Sequence, residues 1–176
     1  NYCRAEQFFN DLLSLAESSD YLKGEGMGYN GLGMIFLNRG FYDKAIEQFQ
    51  KSLENHQKRG DDRSAAMVLT NIGLVFSNQG NYDQALLYYE QSLTLKQQIG
   101  RNAETGILLG NIGNIYNAKG NYIKALQYFQ QALTIRRETG DKRGVGIVLQ
   151  YFGNLYQHQQ EYTLAISYYQ QALEIL

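Results

Sequence analysis

Gly26, Gly28 and Gly31 have the G-x-G-x-x-G spacing. That spacing can cradle a dinucleotide pyrophosphate when a strand leads into it and a helix leads out. No strand is readable ahead of Gly26, and the run lies inside a helical pattern. Packing is the stronger reading, because Gly26 recurs as Ala66, Gly106 and Gly146, a column of small residues. Gly28 and Gly31 stand outside that column and are expected to weaken their helix. His56 and His158, the two histidines, lie far apart with no cysteine near either, which does not suit a metal ion. No nucleophile, base and orienting acid stand in a recognisable context. The chemistry-bearing residues therefore point away from an enzyme, a cofactor and a metal site.

The elements that carry these residues repeat. Gly40, Gly80 and Gly120 share one phase; Gly33, Gly73, Gly113 and Gly153 share a second; Gly60, Gly100 and Gly140 share a third. Tyr42, Tyr82, Tyr122 and Tyr162 recur with them, as do Ala45, Ala85, Ala125 and Ala165. A fixed period of this length implies stacked supersecondary units.

Within residues 101–140, Leu109, Ile112, Gly113 and Tyr116 form one apolar helical face at i, i+3, i+4 and i+7. Gly120 can end that helix in the left-handed conformation, and Asn121 can cap the next. Ala125, Phe129, Ala132 and Leu133 form a second apolar face, closed by Gly140, with Asp141 as the following cap. Each repeat is thus a hairpin of a helix A and a helix B. The recurring glycine at 113 implies close approach of A and B, with Ala125 opposite. Aromatic residues at 36, 76, 116 and 156 and at 49, 89, 129 and 169 are expected to fill the space between hairpins. Tyr88, Tyr128 and Tyr168 form either a stacking surface or a packing column, and packing is favoured.

Tyr2, Ala5 and Phe9 match Tyr42, Ala45 and Phe49, so the chain opens with a lone helix B. The expected fold is all-α, a right-handed α-α superhelix of nine helices: the lone helix B and four hairpins. A single array over 1–176 divides as a partial repeat at 1–20 and repeats at 21–60, 61–100, 101–140 and 141–176. The chain starts at Asn1 without Met and is expected to be an excerpt of a longer protein.

Charge is nearly balanced, with 16 basic and 17 acidic residues and no block of one sign. Nothing draws such a chain to nucleic acid or to an anionic membrane. The absence of Pro permits uninterrupted helices. The single Cys3 excludes an internal disulfide and suits a reducing compartment, so a cytoplasmic location is expected.

The column Leu109, Ile112-Gly113, Tyr116, Gly120, Tyr122, Ala125, Phe129, Ala132 resembles the tetratricopeptide repeat, over essentially the whole chain. The period is longer than the usual repeat of about 34 residues, and the Pro that commonly closes helix B is replaced by a Gly turn. In these two features the chain is similar to spindle-orientation adaptors and to bacterial arrays that include peptide-pheromone receptors.

The resemblance implies a non-catalytic scaffold that binds a protein or peptide on the concave face of the A helices. The alternative is a structural or sensor array within a larger multidomain signalling protein. Mapped onto this sequence, the ligand-facing positions include Asn71, Asn111, Asn114, Asn117, Asn154 and Gln157, whose amides suit an extended peptide backbone. They also include Met27, Met34, Met67 and Leu74, which make the N-terminal half of the groove apolar. The Lys and Arg with which some relatives read acidic ligands have no counterpart at these positions, so the expected partner is not strongly acidic. Phe8, Phe9, Leu12 and Leu13 at one end and Leu173, Ile175 and Leu176 at the other predict end-to-end self-association.

Overall fold

The computed structural model describes residues 2–100 and 103–175. Nine α-helices and no strand occur among them. The helices are α1 (Tyr2–Ser18), α2 (Leu22–Asn38), α3 (Tyr42–Lys58), α4 (Asp62–Asn78), α5 (Tyr82–Ile99), α6 (Ala103–Ala118), α7 (Tyr122–Glu138), α8 (Lys142–His158) and α9 (Tyr162–Ile175). The even-numbered helices are the A helices, and α1 is the lone B helix. Leu176, expected at the end of the stack, lies outside the described residues. The chain divides into two units, Asn1–Ile99 and Gly100–Leu176.

In the first unit α2 pairs with α3 and α4 with α5 as hairpins, while α1 packs on α2 and α3 on α4. In the second, α6 pairs with α7 and α8 with α9, and α7 packs on α8.

The turns follow from local sequence. Gly40 N–H donates to Leu37 C=O at 3.0 Å and Phe41 N–H to Phe36 C=O at 2.9 Å, the paired bonds of a Schellman stop. Asp61, Asn121 and Asp141 cap α4, α7 and α8, accepting from Ser64 N–H, Lys124 N–H and Gly144 N–H.

The glycines at 33, 73, 113 and 153 do mark close approach of A to B, but onto a ring rather than onto alanine. A Cβ at Gly113 would lie 2.5 Å from Phe129 Cε1, and one at Gly33 would lie 2.5 Å from Phe49 Cε1. The aromatic residues thus fill space within hairpins as well as between them. Tyr116 stacks on Tyr128 in one hairpin, and Phe129 also meets Phe152 of the next. Tyr88 and Tyr168 likewise stack on Phe76 and Tyr156, so this column is packing.

Gly28 and Gly31 do not interrupt α2. A Cβ at these positions would meet Leu13 at 2.7 Å and the Phe9 ring at 2.3 Å, so both make room for α1.

The small column at 26, 66, 106 and 146 has a different reason. His56, Lys96 and Arg136 share one phase in the last turn of their B helices and are all buried. A Cβ at Gly26 would lie 3.0 Å from the His56 ring, and one at Gly106 would lie 2.9 Å from Arg136 Nε. Small residues on helix A therefore seat a basic side chain from helix B, at the helix end where positive charge is favoured. Arg136 pairs with the cap Asp141, and His56 Nδ1 lies 3.5 Å from Asp61. The Gly144 N–H and Arg136 together hold the Asp141 carboxyl below the usual range. Ser52 and Ser92 complete the seat by donating to the carbonyls of Gly26 and Ala66 at 2.7 and 2.6 Å.

Candidate functional site

The A helices expose a recurring apolar position. Met27 on α2 is 52% exposed, Met67 on α4 is 40% and Ile107 on α6 is 46%. Ile147 on α8 is half-buried. Side chains three or four residues later share the same helical face. On α2 and α4 these are Asn30 and Asn71, and Asn71 Nδ2 donates to Asn30 Oδ1 at 3.0 Å. The bond ties the two A helices of the first unit together beside the methionines.

One turn further, Met34 and Leu74 are half-buried and pack against Leu37, Phe49, Val68, Ile72 and Val75. They are the floor of this face, sharing their surface with the core.

In the second unit, Asn111 and Asn114 are half-buried on α6. Asn117 is 6% exposed, and its Oδ1 lies 3.3 Å from His158 Nδ1, so this amide bridges α6 to α8. Asn154 and Gln157 are exposed on α8, with the Tyr169 hydroxyl 2.7 and 2.9 Å from their side-chain oxygens. One phenolic proton is shared between two acceptors, which leaves both amide –NH2 groups as donors. The predicted amides thus divide into helix-to-helix ties (Asn71, Asn117), a hairpin tie (Asn154, Gln157) and the half-buried pair Asn111 and Asn114.

Sequence reasoning passed over two features of this face. Tyr151, which stands in the second unit where Asn71 stands in the first, lies against Gly110, whose Cβ would be 3.0 Å from its ring. Exposed Lys23, Arg63 and Arg143 stand one turn ahead of Met27, Met67 and Ile147. Their signal was the i−4 spacing from the apolar column.

The other candidates sit elsewhere. The Gly26–Gly31 run lies mid-helix in α2, where the amides bond back along the helix. Burial and the nearby Arg59 guanidinium lower the pKa of His56 against the pull of Asp61. Among the described residues no three His, Cys, Asp or Glu side chains cluster as a metal site. No described helix is long and apolar enough to cross a membrane.

A sequence profile of the tetratricopeptide repeat matches residues 25–98 and 104–176. The chain belongs to the tetratricopeptide repeat family. The two matched stretches fall one on each unit. Sequence comparison with curated proteins finds no match. Among solved structures, the tetratricopeptide chain is similar to BtubC (BKLC) from P. vanneervenii, at 20% identity and a TM-score of 0.84, over 99% of this chain and 72% of that one. It is also similar to the apo form of RapI, at 18% identity and a TM-score of 0.76, over 97% and 75%. A Rap protein complexed with competence and sporulation factor matches at 18% identity and a TM-score of 0.78, over 94% of this chain and 49% of that one. Identities this low carry the helical-repeat fold alone.

Proposed function

We propose that this tetratricopeptide repeat chain is a non-catalytic scaffold that binds a protein or peptide segment on its A-helix faces. One observation carries the reading. Met27, Met67 and Ile107 recur at one phase with large apolar side chains exposed, where the core makes no use of them. Apolar side chains repeated at a solvent-facing position suit a ligand better than they suit water. A protein of similar fold, a Rap protein, is complexed with competence and sporulation factor, which supports a binding role in general.

The ligand is an extended or partly helical segment with apolar side chains. Met27, Met67 and the edges of Met34 and Leu74 take its side chains in the first unit. In the second unit, Asn111, Asn114 and the –NH2 groups of Asn154 and Gln157 are the donors for a peptide backbone on that unit's own face. The lone Cys3 suits a cytoplasmic setting.

A second reading is a structural or sensor array within a larger multidomain signalling protein, with self-association between repeat ends.

The test is selection of binders from a random phage-displayed peptide library, followed by calorimetry of the selected peptide against the chain. The binding reading expects apolar-rich peptides whose affinity falls when Met27 and Met67 are both changed to Ser. Failure to select any peptide, together with concentration-dependent assembly in sedimentation, would support the array reading instead.

A further inference from the structure

All three methionines of the chain stand on the A helices of the first unit: Met27 and Met34 on α2, Met67 on α4. None lies among the fully buried residues, where Leu, Ile, Val, Ala and Phe supply almost all the apolar contacts. Met27 and Met67 are equivalent in successive repeats, and the second unit places Ile107 and Ile147 at that phase. A branched aliphatic side chain therefore satisfies the position, and packing does not require a thioether. Met27 and Met67 stand on two A helices of one unit, α2 and α4, that touch each other. Asn30 and Asn71 stand one helical turn from Met27 and Met67 on the same faces, and the 3.0 Å bond between these amides brings the two turns together. Met34 differs: it is half-buried against Leu37, Val68, Ile72 and Val75.

We propose that Met27 and Met67 form a reversible oxidation site that switches off the apolar A-helix face of the first unit; this rests on the binding reading above. The oxidant is a hydroperoxide. A thioether lone pair attacks the peroxide oxygen, the O–O bond breaks and an S–O bond forms. Sulfur loses two electrons and becomes the sulfoxide, while hydrogen peroxide is reduced to water. The flexible apolar side chain becomes a polar acceptor that resists burial under a ligand. The fold should be retained, because neither side chain is among the buried core residues. Met34 reacts later, since susceptibility follows exposure. Methionine sulfoxide reductases, one for each epimer, restore the thioether with two electrons and two protons from a dithiol, which becomes a disulfide as the oxygen leaves as water.

The experiment uses the full chain with Cys3→Ser, which removes the exposed thiol that would compete for oxidant. Hydrogen peroxide is titrated in, and peptide mass mapping follows each methionine. The probe is a peptide selected on the reduced chain from a random library. Met27 and Met67 should gain oxygen before Met34, with the melting temperature unchanged. Affinity for the peptide should fall roughly tenfold or more and return with the reductases. The Met27→Ile/Met67→Ile variant, which borrows the residues of the second unit, is compared with itself before and after peroxide, and its own starting affinity should not change on oxidation. Equal oxidation of Met34, or an equal loss of affinity in the isoleucine variant, overturns the proposal. Unchanged peptide affinity with both sulfoxides formed overturns the switch alone. A reduced chain that selects no peptide defeats the binding reading and the switch with it.

Discussion

The ring of Phe129 occupies the space where a side chain at Gly113 would begin, with Cε1 2.5 Å from the Cβ position. Helix A and helix B of that hairpin meet through a ring packed against bare backbone. Phe129 is fully buried and cannot swing into solvent without opening the core. Gly113→Ala should therefore destabilise the second unit by about 1–3 kcal/mol, despite the better helix propensity of Ala. Adding Phe129→Leu should recover part of the loss. Urea unfolding of the parent, the single and the double variant decides it, and a single variant as stable as the parent sinks this account of the glycine column.

His56 occupies the seat that Lys96 and Arg136 fill in the next two repeats. Burial lowers its pKa, Asp61 raises it and Arg59 lowers it, with a net downward shift. The unfolded chain keeps the ordinary value near 6.5, so below about pH 6.5 it binds more protons than the folded chain. Stability should fall as pH drops through that window, above the range in which the carboxylates titrate. His56→Gln should show a smaller loss between roughly pH 7.5 and 5.5 in urea midpoints. Parallel losses in parent and variant would falsify the assignment.

Gln160 has φ of +64°, where the equivalent Gly40, Gly80 and Gly120 have +76°, +77° and +74°. A side chain there is strained by contact with the following carbonyl. Gln160→Gly should stabilise the last hairpin by about 1 kcal/mol. A raised melting temperature is the expected reading, and a lowered one would mean that the loss of side-chain contacts outweighs the relief.

Asn111 and Asn114 are the predicted amides least committed to neighbouring helices. Replacing both with Ala should leave the melting temperature within about 1 kcal/mol of the parent and weaken a library-selected peptide by a few kcal/mol at most. Affinity should vary little with salt, because the proposed contacts are apolar and amide. Unchanged affinity in the double variant moves the backbone contacts elsewhere. A steep salt dependence would bring Lys23 and Arg63 into the site and make the ligand acidic.

Periodicity alone carried the helix hairpins, because each repeat restates its turn glycine, its cap and its two apolar faces. The stops at Gly40 and Gly120 and the caps Asn121 and Asp141 are local, set by residues within one turn of the chain. What a small residue makes room for is not local. By spacing alone Gly31 weakens α2, whereas in the fold the Phe9 ring of α1 lies against it, and Gly26 clears space for a histidine 30 residues away. The amides divide in the same way. Their shared face on the A helices follows from spacing. That Asn71 and Asn117 are held by Asn30 and His158 depends on which neighbouring helix lies within 3.5 Å. Spacing sets direction along one helix, whereas contact needs the position of the next, and only packing supplies that.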